Sequence, residues 1–444
     1  MSDSRRPILF IAGTAALAAT VVLLYMERGG KDGPRPQNTE TAGESSPSTT
    51  APAPVPAMQE ESSVDTPVDA EAALANAGVG LASADPAALL ARIGEALEAG
   101  DFEQLGQLIG RQALDEPTRK RLAELAAAQP KLRRPDTVQK VGDIELNQSV
   151  RWALLLDGAE AGRDRIFFDL KRSSGKWSVH SLTLPPGPGE PLPGALLADT
   201  LGIADAFLQA TLRQEFDRAK VFVDASKVSD AKIAGLCILF EDGQYRLHPE
   251  KPLRAMFRQP TSAGYLAQVV SADGSEAAEF SLALQQSGPA DAWRVADINL
   301  DGLLADYARR IAGGDVYFTP LLKNPQGGDT LVLYFDFDED SLAPRTERQL
   351  AIVARILKTD PAKKLTLSGH TDALGTEEYN TQLSARRAQV VKEFLVANGV
   401  GEKQILTVAR GPSQPRRPNF TESGADDPAG RRVNRRAEIY LDFE

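Results

Sequence analysis

Lys364-Leu-Thr-Leu-Ser-Gly-His-Thr-Asp372 lies at the centre of the C-terminal quarter of this chain and joins two kinds of sequence pattern. Its alternating apolar residues predict a strand from Lys364 to Ser368, with an acidic side chain just past its end. Apolar residues at helical spacing follow to about Asn398. The stretch therefore predicts a strand, a turn that carries Asp372, and a long helix.

The segments on either side complete an alternating pattern. One strand precedes the stretch, and Pro344 opens a helix between the two strands. After the long helix we expect a strand from Ile405 to Ala409, an Arg- and Pro-rich loop over residues 411–432, and a last strand from Ala437 to Phe443. In the first strand, we expect four side chains on one face: Leu331, Leu333, Phe335 and Phe337. The order β-α-β-α-β-(loop)-β predicts a two-layer α/β sandwich over residues 328–444.

The second helix places an arginine on its packing face. Leu383 and Val391 each lie four residues from Arg387, so these three residues belong to one stripe, whereas Arg386 points about 100° away. A buried guanidinium needs a carboxylate or a bound anion, and Asp372 is the nearest acidic candidate. Two arrangements are open. Asp372 and Arg387 pair with each other, or they stay apart and hold the ammonium and the carboxylate of a zwitterion.

Five ordered blocks of sequence carry a resemblance to a known family. They are Tyr334-Phe-Asp-Phe-Asp338, Ser368-Gly-His-Thr-Asp372, Tyr379-Asn380, Leu383-Ser-x-x-Arg387-Ala388 and Asn434-Arg-Arg-Ala-Glu-Ile439. Together they resemble the OmpA-like peptidoglycan-binding domain of outer-membrane anchors, Pal lipoproteins and flagellar MotB proteins.

This resemblance implies noncovalent binding of peptidoglycan and a set of site residues. Asp372 and Arg387 would hold the diaminopimelate of the stem peptide, with Thr371, Asn380 and Leu383 around the pocket. Arg435 is implicated as well, and the alternation from Arg435 to Phe443 independently places this arginine on the inward face of the last strand. The other arginines of the Arg- and Pro-rich loop are interpreted as solvated or as cell-wall contacts.

The N-terminal part predicts a membrane anchor and a tether. Residues 7–26 carry no charge, and a helix of that length spans roughly 30 Å. We therefore expect residues 1–28 to be a single-pass signal anchor. A cleaved signal peptide is the alternative, because Arg5 and Arg6 form a basic head and Ala16-Leu-Ala18 resembles a cleavage site. Residues 29–73 are rich in Pro, Ser and Thr and predict a disordered linker.

The middle of the chain predicts two copies of one α+β unit, over residues 86–184 and 195–312. Trp177-Ser-Val-His-Ser-Leu-Thr-Leu184 and Trp293-Arg-Val-Ala-Asp-Ile-Asn-Leu300 share the spacing W-x-V-x-x-[LI]-x-L, and each copy begins helical and ends in strands. This layout resembles the NTF2-like cone fold. We expect spacers or binding modules for envelope proteins, with Trp177 and Trp293 in the core.

The composition restricts the function classes. Fifty basic and sixty-one acidic side chains give 50 − 61 = −11, which disfavours nucleic acid as a partner. One cysteine and three scattered histidines predict no metal site, and no cofactor is expected. We expect a noncatalytic α+β multidomain protein in the inner membrane of a Gram-negative bacterium, with its C-terminal domains in the periplasm, that links this membrane to the cell wall.

Two alternatives remain open at this point. One is an enzyme or a ligand-binding protein whose two middle copies act on envelope intermediates. The other, less favoured, is a MotB-like stator subunit. A stator needs an ionisable carboxylate within its membrane span, and none lies between Arg6 and Glu27.

Overall fold

The first folded segment consists of helices followed by an antiparallel sheet. Aspartates cap three of the helices, because the side chains of Asp85, Asp101 and Asp115 accept hydrogen bonds from main-chain N–H groups of the first turn. The helices are α1 (Pro67–Ala75), α2 (Pro86–Ala99), α3 (Phe102–Ile109) and α4 (Glu116–Ala127). The strands are β1 (Val138–Glu145), β2 (Ser149–Leu155), β3 (Arg165–Ser173) and β4 (Lys176–Thr183), paired in the order β1-β2-β3-β4.

These elements belong to a computed structural model of the chain, which describes residues 67–159, 162–186, 199–272, 274, 277–288, 291–311, 313–315, 317–323 and 329–442. The predicted anchor over residues 1–28 and the predicted linker up to residue 66 lie outside these residues. No helix among the described residues is long and apolar enough to cross a membrane.

Helix α1 corrects the predicted end of the linker. Residues 67–73 were expected to be disordered, yet they are helical. Alanine is the strongest helix former, and three of these seven residues are alanines. Leu74, at the end of the helix, is fully buried in the core of the first segment. Burial of this leucine therefore stabilises a helix that composition alone did not predict.

The second folded segment repeats the order of the first. Three helices come first: α5 (Thr200–Leu212), α6 (Phe216–Val221) and α7 (Asp230–Asp242). Antiparallel strands follow, in the order β5-β7-β8-β9 with β6 beside β7, and α8 (Asp301–Arg310) ends the segment. The strands are β5 (Arg246–Leu247), β6 (Leu253–Arg258), β7 (Ser262–Val270), β8 (Ala277–Gln285) and β9 (Arg294–Asn299).

The two segments also share local geometry. Phe102 begins α3 and Phe216 begins α6, and both phenylalanines are buried. Two residues before them, Gly100 and Gln214 both adopt left-handed backbone conformations, with φ of 68° and 62°. A positive φ is uncommon for a residue such as glutamine. A left-handed residue at the same position before both phenylalanines is what a duplication would produce. The resemblance to cone folds stays a prediction.

The C-terminal segment is a five-stranded sheet with two long helices on one face. The strand order is β10-β11-β14-β12-β13, in which only β12 and β13 are parallel neighbours. The strands are β10 (Leu321–Lys323), β11 (Asp329–Tyr334), β12 (Lys364–His370), β13 (Ile405–Gly411) and β14 (Arg436–Asp442). The helices are α9 (Pro344–Thr359), α10 (Glu377–Ala397) and a short α11 (Pro428–Asn434).

The predicted sandwich is confirmed in its main order, with three corrections. The first strand ends at Tyr334, and Phe337 is 59% exposed instead of sharing the buried face. The sheet gains β10 at one edge. The predicted loop contains α11, because Asp427 caps a helix that Pro428 opens. Arg435 therefore ends this helix and does not belong to the strand.

The second and C-terminal segments are docked on each other. Helix α9 lies between α10 and the helices α6 and α7, and the buried residues of both segments form one continuous hydrophobic core. Across the contact, the buried carboxylate of Asp242 accepts hydrogen bonds from Arg345 at 2.8 Å and from Gln349 at 2.6 Å. Asp230 accepts one from Lys363 at 2.6 Å. The C-terminal sandwich is therefore fixed to the segment that precedes it.

Candidate functional site

The candidate site lies where β12 ends and α10 begins. The two elements approach closely, because a Cβ on Gly369 would lie only 2.0 Å from the main-chain oxygen of Ser384 in α10. This contact brings the residues after β12 under the first turns of α10. The segment that follows β11 and the residues around α11 close the site from the other sides.

Arg387 is fully buried, as the helical stripe predicts. Its three nitrogen atoms donate to main-chain carbonyls: Nε to Glu339 at 2.8 Å, Nη1 to His370 at 3.0 Å and Nη2 to Asp336 at 3.1 Å. The guanidinium also lies 5.1 Å from the centre of the Phe335 ring. The expectation that this arginine requires an anion was wrong, because carbonyl oxygens can satisfy a buried guanidinium as well.

Burial changes the acid–base behaviour of this arginine. Desolvation, and next the positive charge of Arg435, lower the pKa of Arg387 to about 10, and Asp372 opposes this shift. The side chain therefore stays charged at neutral pH. Three of its five N–H groups are used by the main chain.

Asp372 is buried and is paired with a different arginine. Its Oδ2 accepts a hydrogen bond from Nη1 of Arg435 at 3.1 Å and lies 3.6 Å from Nη1 of Arg431. Its Oδ1 accepts from the N–H of Leu374 at 3.1 Å, which orders the turn after β12. Among the ion pairs of the described residues, none joins Asp372 to Arg387. The first of the two predicted arrangements, direct pairing, is therefore wrong.

The remaining predicted residues surround this turn. Asn380 donates from Nδ2 to the carbonyl of Leu374 at 2.9 Å and so ties the turn to α10. Leu383 is buried on the same helix, one turn before Arg387. The N–H of Thr371 donates to Gly411 at 3.0 Å, but its buried Oγ1 has no hydrogen-bond partner among the described residues. The structure thus brings all six predicted residues to one place, Arg435 included.

The sequence prediction missed the role of Arg431 and its partner. Arg431 donates from Nε and Nη2 to the two carboxylate oxygens of Asp426, at 2.8 and 2.7 Å, and this contact raises the pKa of Arg431. The sequence signal was available, since the two residues lie five positions apart around the start of α11. The sequence pattern alone predicts a solvated loop for Arg431.

Other arginines in and next to the loop also make specific contacts, although Arg432 is exposed, as the solvated interpretation predicts. Arg436 is 2% exposed and donates to Glu438 at 2.7 Å. The guanidinium of Arg432 lies 3.9 Å from the centre of the Phe318 ring. Asn434, which is fully buried, accepts hydrogen bonds from the N–H groups of Arg416 and Arg417. The loop is therefore fixed by polar contacts that local sequence patterns do not show.

A buried histidine lies beneath the site. His370 is 1% exposed, and neither ring nitrogen has a hydrogen-bond partner within the part of the chain that the structure describes. Burial, and next the charge of Arg436, lower the pKa of His370 to about 3, although Glu438 opposes the shift from 3.7 Å. The imidazole is therefore neutral at pH 7, while its main-chain oxygen holds Arg387.

The arrangement offers recognition groups. The buried carboxylate of Asp372 and the guanidinium groups of Arg387 and Arg435 lie close together, and these charges suit a ligand with both ammonium and carboxylate groups. In the described residues, no group of three or more His, Cys, Asp or Glu side chains is placed to hold a metal ion.

Comparison with known proteins identifies the domain around this site. Residues 334–427 match the OmpA family. The chain is 41% identical over 107 residues to the peptidoglycan-binding protein ArfA of Mycobacterium tuberculosis, covering 24% of this chain and 31% of ArfA. It is 37% identical over 106 residues to the peptidoglycan-associated lipoprotein of Pseudomonas aeruginosa, covering 24% of this chain and 59% of the lipoprotein.

A solved structure is similar as well. The peptidoglycan-associated lipoprotein of Burkholderia pseudomallei is 32% identical, covers 25% of this chain and 89% of its own, and has a TM-score of 0.23. The chain spans less than two thirds of the length of the first curated relatives that it matches, from 18% to 53%. The predicted resemblance is confirmed for the C-terminal part of the chain: residues 334–427 form an OmpA family domain.

Proposed function

We propose that this chain binds peptidoglycan noncovalently through its OmpA family domain. Asp372 takes the ammonium and Arg387 the carboxylate at the side-chain end of the diaminopimelate in the stem peptide. Thr371, Asn380, Leu383 and Arg435 complete the pocket. No catalytic step and no cofactor belong to this proposal.

One observation carries the proposal. Asp372 and Arg387 share one buried site but are not ion-paired with each other, because the carbonyls of Asp336, Glu339 and His370 hold the arginine independently. Two N–H groups of Arg387 are not used by these carbonyls, and the proposal assigns them to the carboxylate of the ligand. The names of the relatives support the same partner, since one is called peptidoglycan-binding and another peptidoglycan-associated.

The proposal includes a place in the envelope. Residues 7–26 form the membrane anchor, the following tether crosses part of the periplasm, and the described segments lie on the periplasmic side. The chain then links the inner membrane to the cell wall. Its middle segments offer surfaces to envelope proteins.

The test is retention of the full chain on purified peptidoglycan sacculi. Asp372→Asn removes the negative charge but keeps the shape, and we expect it to abolish retention. Arg386→Ala is the matched control, because Arg386 precedes Arg387 on the same helix but is half exposed and paired with Asp340. We expect the control to be retained like the wild type. Equal retention of Asp372→Asn and wild type would remove the assignment.

A further inference from the structure

The carboxylate of Asp372 has a positively charged partner within the protein itself. Nη1 of Arg435 lies 3.1 Å from Oδ2 of Asp372, and the side chains are 13% and 5% exposed. This is the position in which the ammonium of a zwitterionic ligand would pair with Asp372. Arg435 also lies beyond residues 334–427, which match the family.

Arg435 is only partly satisfied in this position. Its buried Nε has no hydrogen-bond partner among the residues described, and the same is true of Oγ1 of Thr371, the neighbour of Asp372. Buried polar atoms in native structures nearly always have partners, so these two atoms beside one carboxylate have capacity for hydrogen bonds to polar groups from outside the chain.

Arg387 differs from Arg435 in how many hydrogen bonds hold its guanidinium. Every nitrogen of Arg387 donates to the main chain, so its position is fixed by the fold. Arg435 is held by one side-chain hydrogen bond to Asp372, and its guanidinium lies 5.8 Å from the centre of the exposed Phe337 ring. Of the two arginines, Arg435 is the one that can change partners at low cost.

Arg431 is the natural comparison. It also faces Oδ2 of Asp372, at 3.6 Å, but its two hydrogen bonds to Asp426 anchor it elsewhere. An ammonium that takes the place of Arg435 on Oδ2 of Asp372 would break that contact and leave the contact between Arg431 and Asp426 intact.

We propose that Arg435 competes with the ligand for Asp372. Its guanidinium neutralises Asp372 in the ligand-free protein, and the ammonium of the ligand displaces it on binding. The inference rests on the proposed function, because it assumes that Asp372 takes an ammonium. Under this inference, the contact between Arg435 and Asp372 limits the rate at which the ligand associates. Displacement also relieves the repulsion between Arg435 and Arg387, which contributes to the lowered pKa of Arg387.

The test measures association of the full chain with a soluble muropeptide whose stem ends in diaminopimelate, by stopped-flow fluorescence. Removal of a charge-assisted hydrogen bond from the resting site should speed association of Arg435→Gln about tenfold. Arg431→Gln should stay within about twofold of the wild type, since its main partner is Asp426. Association of Arg435→Gln at the wild-type rate or more slowly would overturn the inference.

An NMR measurement on the wild-type protein tests the inference even if the Arg435→Gln variant fails to fold. The Nε–H resonance of Arg435 should move when the muropeptide saturates the site, while that of Arg387 should stay in place. An unchanged Arg435 resonance with bound muropeptide overturns the inference and leaves the proposed function standing. If the wild type does not bind the muropeptide at all, the proposed function fails and the inference fails with it.

Discussion

Arg387 shows how a buried charge can serve structure and recognition together. A guanidinium without partners would destabilise the fold by several kcal/mol. Here it joins two main-chain segments, because two of its acceptors lie in the segment after β11 and the third at the end of β12. The same contacts that stabilise the charge also hold it beside Asp372 without pairing the two.

Replacement of this arginine should therefore cost stability as well as binding. Arg387→Met removes the donor from one buried and two partly buried hydrogen bonds to carbonyls, and we expect the free energy of unfolding to fall by about 3 kcal/mol. Arg386→Met should change it by less than about 1 kcal/mol, because its ion pair with Asp340 is half exposed. Urea unfolding of the full chain measures both values. Equal losses would show that the three carbonyl contacts contribute nothing.

His370 predicts a dependence of stability on pH. Its folded pKa of about 3 lies below the ordinary value of 6.5, so the unfolded state binds more protons between these values. Stability from this residue is therefore complete above pH 6.5 and falls as the pH drops towards 3. Between pH 7 and pH 5 the loss should be about 2 kcal/mol.

The matched comparison is between two histidine variants. His370→Leu should remove most of this loss, whereas the exposed His180→Leu should keep it. Urea unfolding at pH 7 and pH 5 measures the difference. The same pH slope in wild type and His370→Leu would contradict the neutral buried imidazole.

The sequence predicted the position of Arg387 but not its partners. Helical spacing is a local property, so the burial of this arginine follows from Leu383 and Val391 alone. Its acceptors are main-chain carbonyls from other elements, which no side-chain pattern reveals. The pairing of Asp372 with Arg435 depends in the same way on α11, whereas the sequence pattern predicts a loop there.

At the scale of elements, the contact between β12 and α10 sets the geometry of the site. Gly369 has no side chain, and this lets the strand pass directly against the main chain of Ser384. The hydroxyl of Ser384 in turn accepts a hydrogen bond from the N–H of Gly411, at the end of β13. Three elements meet at this point, next to Asp372.

A methyl group at this contact should separate strand and helix. Gly369→Ala would place a Cβ 2.0 Å from a carbonyl oxygen, and we expect a loss of about 3 kcal/mol in the free energy of unfolding together with weaker retention on sacculi. Gly78→Ala is the control, since a Cβ there meets nothing within 4 Å. Thermal unfolding of both variants measures the difference in stability. A wild-type melting curve for Gly369→Ala would show that the strand and helix are farther apart.

At the scale of the whole molecule, the OmpA family domain is part of a larger body. The described residues fall within one compact unit that spans residues 63–444. Hydrophobic periodicity predicted the helices and strands of each segment, but it gave no sign that α9 would pack against α7. The residues that join them, Asp242 and Arg345, lie 103 positions apart, and such pairings need tertiary structure.

A double-mutant cycle tests this docking. Asp242→Ala and Arg345→Ala, alone and combined, should show a coupling energy of about 2 kcal/mol, because the carboxylate of Asp242 is 2% exposed. The surface pair of Arg386 and Asp340 provides the control, with an expected coupling below about 1 kcal/mol. Urea unfolding of the full chain supplies the values. No coupling between Asp242 and Arg345 would mean that the two segments are not held together there.

A chemical change in the ligand, with the protein left intact, tests whether Asp372 binds the side-chain ammonium of diaminopimelate. Calorimetric titration of the wild-type full chain compares a soluble diaminopimelate muropeptide with the same molecule acetylated on the side-chain amine of diaminopimelate. Because Asp372 is proposed to take that ammonium, we expect one-to-one binding of the first molecule and no measurable binding of the second. Equal affinity for the two would contradict the account.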